Sequence, residues 1–484
     1  MSDPQAAEKP ERVYAALARP GLRLLIPLVV ACGLFMENLD STILATSIPQ
    51  MAESLGENPL HLNIAITSYL LSLAVFIPIS GWVADRFGAR GVFCGAIAVF
   101  TVGSVLCGLA QSLPMLVATR VLQGLGGAMM TPVGRLILLR SFPKDQLVTA
   151  MSYVTLPALI GPAIGPLVGG FLTTYISWRW IFYINVPIGL IGITLALRYI
   201  ENFRSAVLSR FDFVGFVLCG VGLALTQLGL EYAGRHLISN ALEATILAVA
   251  ALSLGLYGFY ARRRPKPAVD LSIFRNRVFR IAVVGGAICR TGLGALPFLL
   301  PMMLQIPFGL SAFRSGSITF VLAIGSMLMK TAAPPMLRKF GFRRLLVGNA
   351  VVVGLMTMCL ALVRADTPHW LLMGGLLIFG FFRSMQFTCM NALGYTDLTD
   401  ANVSSGSSVA SVGQQLSQSF GVAIGATLLA VFAGGASEPT IQDFIPTFIA
   451  VGMLPIISLA YFVRLQPEDG SQVSGHLAQP AARS

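Results

Sequence analysis

Charge is the scarcest property of this 484-residue chain. Asp, Glu, Lys and Arg together make up 11% of it, where a soluble domain carries about 25%. With 55% hydrophobic residues, that shortfall excludes a water-soluble globular protein and leaves a chain that crosses a bilayer repeatedly. Histidine is nearly absent: His61, His236 and His369 lie in or near predicted outer loops and His476 lies in the C-terminal tail, so no metal site is indicated. The seven cysteines all fall inside apolar runs, and none has CxxC spacing. Neither a disulfide frame nor a metal cluster is expected from them. No H-E-x-x-H or G-x-S-x-G arrangement occurs, and the longest internal loop, about 262–278, is too short for a soluble domain. An enzyme is therefore not expected. A cleavable leader is not expected either, because residues 1–21 are polar and the first apolar run is too long for a signal-peptide core.

What the chain has in abundance is long apolar runs. About 20 apolar residues make a span, and fourteen are predicted: 22–49, 62–83, 91–110, 114–139, 146–174, 179–198, 211–232, 240–261, 279–305, 313–337, 343–363, 369–396, 404–433 and 443–465. The net charge of +12 is not a nucleic-acid footprint, because the cations alternate between loops. One side holds Arg86, Arg90, Arg140, Lys144, Arg204, Arg210, the run from Arg262 to Arg277, Arg338, Lys339, Arg343 and Arg344; the other holds only Arg179, Arg235, Arg314 and Arg364. The positive-inside rule then makes both termini cytoplasmic in a multi-pass inner-membrane protein. FGAR at 87–90 recurs as FGFR at 340–343, each in a cytoplasmic loop after the second span of a half. The expected organisation is a tail 1–21, a six-helix half 22–200, an inserted hairpin 201–262, a loop 263–278, a second six-helix half 279–465 and a tail 466–484.

The few charges inside the spans are the informative ones. Glu37 and Asp40 lie three apart in the first span, on one helix face. A charge at that depth costs about 2.5–3.5 kcal/mol on the mildest insertion scale, so their expected use is to carry a proton or bind a cation. Arg120 lies well inside the fourth span and keeps its charge. The predicted spans of the second half contain no interior acid; they contain Arg290, Arg383 and, toward the inner end of the tenth, Lys330.

Four segments carry a resemblance. GWVADRFGAR at 81–90 is similar to a cytoplasmic loop motif, RVLQGLGGAMM at 120–130 to a span-4 motif, GPAIGPLVGG at 161–170 to a span-5 antiporter motif, and LDSTILATSIP at 39–49 to a span-1 signature. Their order and spacing resemble the major facilitator superfamily, specifically its fourteen-helix drug:proton antiporters, over nearly the whole chain. WRWIFYINVPIG at 178–189 also looks typical of that family. Ala45 and Ile64 depart from its usual asparagine and tryptophan.

The resemblance implies an all-α membrane protein of two six-helix halves plus an inserted hairpin, with a substrate site at the midplane between halves. It implies a proton-coupled exporter of small molecules working by alternating access, energised by a proton gradient without a bound cofactor. The expected partners are protons, a small-molecule substrate and the lipid bilayer. Proton coupling is expected at Asp40, Glu37 and Arg120, with Arg120 close to Asp40, where a nearby cation and burial act on the acid in opposite senses.

The expected conformational switch comprises Gly81, Asp85, Arg86, Gly88 and Arg90 with Gly161, Pro162, Gly165, Pro166, Gly169 and Gly170. Gly81 would permit close helix approach, and Asp85 would face the N-terminus of the thirteenth span, capped by Ser404 and Ser405. Arg290, Arg383, Gln386, Asn391, Gln414 and Gln418 are the expected cavity residues. Glu37 would couple to Asp40, contact a cation or pair with Arg290 or Arg383, so that acids face cations across the cavity and anionic or zwitterionic substrates are favoured. An importer or exchanger of the same fold, and a transport-dead sensor, remain as alternatives.

Overall fold

Without water to bond its peptide groups, an apolar chain satisfies its backbone inside a bilayer only as helices or closed barrels. Helix is what these runs form. The computed structural model describes residues 20–142, 144–202, 211–232, 239–264, 267–398, 403–434 and 438–471, and contains no strand among them. Arg204, Arg210, Arg235, Lys266, His236 and His476 lie outside the described residues, as do the side chains of Lys144, Ser404 and Ser405.

The first half comprises α1 (Leu25–Leu55), α2 (Pro59–Phe87), α3 (Ala89–Gly108), α4 (Leu113–Ser141), α5 (Lys144–Tyr175) and α6 (Trp180–Tyr199). A hairpin follows, α7 (Phe213–Tyr232) and α8 (Asn240–Ala261), and then α9 (Arg277–Gln305). The run Ala312–Cys359 is interrupted at Gly341, whose φ of 69° and ψ of 170° are not helical. Its arms, 312–340 and 342–359, are α10 and α11. The last helices are α12 (His369–Leu393), α13 (Val403–Phe432) and α14 (Ile441–Phe462). Twelve helices among the described residues are long and apolar enough to cross a membrane, with α10 and α11 together forming one of these; α5, 32 residues long, is additional to them.

The repeated loop motif is a repeat in three dimensions. Gly88 has φ 95° and Gly341 φ 69°, conformations that favour glycine. Two residues on, Arg90 donates to the carbonyl of Ile200 at 3.3 Å and Arg343 to that of Val463 at 3.5 Å. Each half thus ties the start of its third helix to the end of its sixth, where a cation also complements the helix dipole. A side chain at Gly88 would also run into Asn202, whereas one at Gly81 would meet nothing within 4 Å. The expectation that Gly81 mediates close helix packing is therefore corrected: its surface is open.

The hairpin is peripheral. Only 22% of the most apolar stretch of α7 and of α8 is buried, against 67% for α1 and α9. It packs against α2 and α13. Those two helices meet across the boundary between halves, as do α5 and α10. Among the described residues, the hydrogen bonds between halves cluster away from the end that carries the chain termini. Gln305 donates to the carbonyl of Thr46 at 2.9 Å and accepts from Gln50 at 3.2 Å, Phe313 N donates to Thr174 at 3.0 Å, and Ser419 donates to the carbonyl of Thr67 at 3.2 Å. There Gly170 abuts the backbone of Ala312 and Gly316 that of Pro166, with no room for a Cβ.

Gly88→Ala is expected to lower stability by about 1–3 kcal/mol, the cost of a non-glycine residue in a sparsely populated backbone region. Gly81→Ala is expected to be neutral or slightly stabilising. Thermal unfolding of the two detergent-solubilised variants checks the contrast; equal shifts would refute it.

Candidate functional site

Asp40 sits in α1 just before a tight turn, Leu44–Ser47, that interrupts the helix. It is 1% exposed, and both carboxylate oxygens are engaged. Arg120 Nη1 donates to one at 2.5 Å, and Gln123 Nε2 to the other at 2.8 Å. Arg120 is equally buried, so it does not reach for an interface. Its Nε donates to the Ala65 carbonyl at 2.9 Å, its Nη1 also to Gln123 at 2.6 Å, and its guanidinium lies 4.2 Å from the centre of the Tyr69 ring. Gln123 continues to Ser104 at 3.2 Å, which also accepts from Asn185 at 3.0 Å. One connected network therefore draws in α1, α2, α3, α4 and α6. A buried ion pair offsets its desolvation cost only when such hydrogen bonds complete it.

The remaining helix, α5, closes on the same segment of α1 through its glycines. A Cβ at Gly161 would lie 3.1 Å from the backbone of Phe35 and of Leu39; Gly165 faces Thr42; Gly169 faces Ile43 and Thr46. The span-1 and span-5 motifs thus pack on each other, and the small face of α5 sets how closely α1 approaches α4. Pro157, Pro162 and Pro166 lie inside α5, each removing a backbone donor.

Glu37, one turn before Asp40, is also held by α4. Thr131 donates to its carboxylate, and Arg135, one turn further on, is close enough to act on it electrostatically. This corrects the expected opposition of charges. Among the described residues neither acid bonds or pairs with Arg290 or Arg383, because α4 lies alongside α1 in the same half and supplies donors at short range.

Asp85 pairs with Arg140 at 3.1 Å, a partner from its own half. The expected contact with the start of α13 rests on Ser404 and Ser405, whose side chains are outside the description. Arg86 lies over Trp82 and Phe87.

In the second half, Arg290 on α9 is 5% exposed and donates to Asn391 at 2.6 Å, while its Nε is buried without a partner. Arg383 on α12 also has a buried, unpartnered Nε. Both guanidinium groups flank Phe387, at 6.0 and 5.4 Å from its centre. Lys330 is exposed and donates to Thr388 at 3.0 Å. Gln386 is corrected: its amide turns away into α11, accepting from Asn349 at 2.9 Å and donating to the Leu346 carbonyl. Asn391 is exposed, and Gln414 and Gln418 are half-buried with no side-chain hydrogen bond among the described residues.

Glu231 escaped the sequence reading. It is 2% exposed near the end of α7 and accepts from Asn63 at 2.8 Å, Thr67 at 2.8 Å and Gln227 at 3.3 Å. Gln227 in turn accepts from Ser419 of α13. This acid fastens the hairpin across the α2–α13 junction. The available signal was the Gln227–Glu231 spacing of one turn within an apolar run.

Two six-helix halves, closed on each other at one end, with charges on facing helices, define a membrane carrier fold. The sequence profile of the Major Facilitator Superfamily matches residues 30–422, and the chain belongs to that family. A protein named "Putative multidrug resistance protein MdtD" from Pectobacterium atrosepticum is 39% identical over 444 residues, covering 91% of this chain and 95% of that one. A Klebsiella pneumoniae protein of the same name is 40% identical over 449 residues, covering 92% and 95%. Among solved structures, a D-xylose–proton symporter superposes with a TM-score of 0.67 at 14% identity, covering 92% of this chain and 98% of that one. The nucleoside transporter NupG (D323A mutant) superposes with a TM-score of 0.64 at 13% identity, covering 90% and 98%. The last two show the fold alone.

Arg120→Leu is expected to destabilise the protein by about 3–5 kcal/mol, because it strands a buried carboxylate. Adding Asp40→Asn should restore part of that loss. Thermal unfolding of the single and double variants measures the coupling; strictly additive losses would show that the two residues do not act as a pair.

Proposed function

We propose that this chain is a proton-coupled exporter of small, drug-like molecules that works by alternating access, with Asp40 as the coupling acid. The observation that carries this reading is the buried Asp40–Arg120 pair, which links α1, α2 and α4 in a single network. A proton arriving on Asp40 cancels the charge that holds Arg120. The guanidinium is then released toward Gln123, Ala65 and Tyr69, and the grip of α4 on α1 loosens. Loss of the proton restores the pair. Binding free energy and protonation thus act on the same helix contact, which is what coupling requires.

Relatives named for multidrug resistance, at about 40% identity over nearly the whole chain, support export of drug-like compounds. Reading the two arms at Gly341 and α5 as separate crossings gives fourteen spans, with both termini on the cation-rich, cytoplasmic side. In that orientation the hydrogen bonds between halves close the outer end, and the conformation faces inward. Glu37, held by a neutral hydroxyl deeper toward the termini, is the second acid on the path of the proton. Asp85, Arg86, Gly88 and Arg90, with the glycines and prolines of 161–170, form the parts that move or bend between states.

Asp40→Asn is expected to abolish pH-gradient-driven ethidium transport in proteoliposomes, while the variant still inserts and elutes as folded protein. Asn keeps the size of Asp and one acceptor for Arg120 but has no site that titrates, so loss of driven transport in a folded variant reports on the proton. Undiminished driven transport by this variant would sink the assignment.

A further inference from the structure

Three arginines inside the bundle, the buried Arg120 and Arg290 and the half-buried Arg383, are held in different ways. Arg120 is held by a carboxylate, two oxygen acceptors and an aromatic face. Arg290 and Arg383 have no carboxylate among the described residues, and each keeps a buried Nε without any acceptor. An arginine stays charged at physiological pH, and an unpaired buried donor of a charged group is costly. Structural pairing therefore explains Arg120 and leaves the other two unexplained.

The surroundings of this pair are built for a guest. Both guanidinium groups lie over the Phe387 ring, at 6.0 and 5.4 Å from its centre, within cation–π range. Gly286 leaves the room that Arg290 occupies: a Cβ there would lie 2.9 Å from Arg290 Nη1. Immediately before Gly286, α9 contains a π turn at Ile281–Gly285, a local distortion frequent at functional sites. Asn391, which bonds Arg290, is exposed, and Lys330 adds a third cation on Thr388, five residues after Arg383 in α12. Two forks of N–H donors with free Nε atoms match the oxygens of a carboxylate or sulfonate, which take paired bonds from arginine.

We infer that Arg290 and Arg383, both lying over Phe387, form the substrate subsite for a small organic anion carrying a carboxylate or equivalent oxyanion. This rests on reading the chain as a transporter, but its test does not require transport. Lys330 adds attraction at the mouth of the subsite, and Asn391 holds Arg290 ready while the site is vacant. An anionic lipid headgroup offers the same chemistry; the commitment is to a soluble anion.

The test is equilibrium binding to the full chain in phosphatidylcholine nanodiscs without any gradient, with 5-carboxyfluorescein as the anionic probe and ethidium as the cationic one. Wild-type protein is expected to bind carboxyfluorescein, soluble benzoate is expected to displace it, and Arg290→Gln and Arg383→Gln are each expected to weaken it by about tenfold or more. Ethidium binding should not be weakened in either variant, which a collapse of the fold would not allow. Carboxyfluorescein binding that survives both substitutions, or a parallel loss of both probes, overturns the proposal. Displacement by added phosphatidylglycerol with no effect of benzoate assigns the site to lipid and overturns it as well. The measurement is made without a gradient and on Arg290 and Arg383, whereas the coupling reading is tested by driven transport and Asp40→Asn, so failure of the one and failure of the other are separable.

Discussion

Placing a carboxylate and a guanidinium out of water is the constraint on which the first half of this protein is built. Asp40 and Arg120 are tolerable only because the neighbouring helices contribute to them: α2 through a carbonyl and a tyrosine face, α3 and α6 through Ser104 and Asn185, and α5 by packing Gly161, Gly165 and Gly169 against α1. Breaking a buried pair by removing one partner costs about 3–5 kcal/mol. A proton does the same thing reversibly, by removing one charge without removing an atom. The arrangement that stabilises the half is therefore also the one most sensitive to protonation.

The second half occupies the same scaffold with the opposite logic. Its loop glycine, its tie from loop arginine to final helix and its helix order repeat those of the first half. Yet its central helices carry cations with no acid paired to them among the described residues, and Gln386, three residues from Arg383, is committed to Asn349. One half satisfies its charges internally; the other leaves donors open. A fold duplicated in geometry has been divided in chemistry, with charges paired in one half and cationic donors left open in the other.

How much of this was legible in the sequence depends on what each residue touches. The helical fold and the repeat were readable from the apolar runs and the loop motif, and the nearness of Asp40 to Arg120 from the resemblance that their two motifs carry. The partner of Glu37 was not, because Thr131 is one of many hydroxyls and helical phase alone does not rank them. Gln386 looked like a cavity residue because polarity marks burial demand but not direction. Gly81 and Gly88 are indistinguishable as letters; only the backbone shows that one needs a left-handed turn and the other faces open space. Glu231 lay near the end of a span, where an acid ordinarily reaches water, and only the packing of α7 on α2 and α13 makes it internal.

The glycine seam between the halves has a mechanical consequence. Where Gly170 meets Ala312 and Gly316 meets Pro166, backbone rests on backbone, with Phe313 packed on Phe171 and Tyr175 to one side. Interdigitated side chains must change rotamer before two helices can shift, and well-packed cores resist this as a solid does. A bare-backbone contact has no teeth. It serves as a bearing, letting the halves rock while the friction, and hence the control, is concentrated in the few hydrogen bonds beside it.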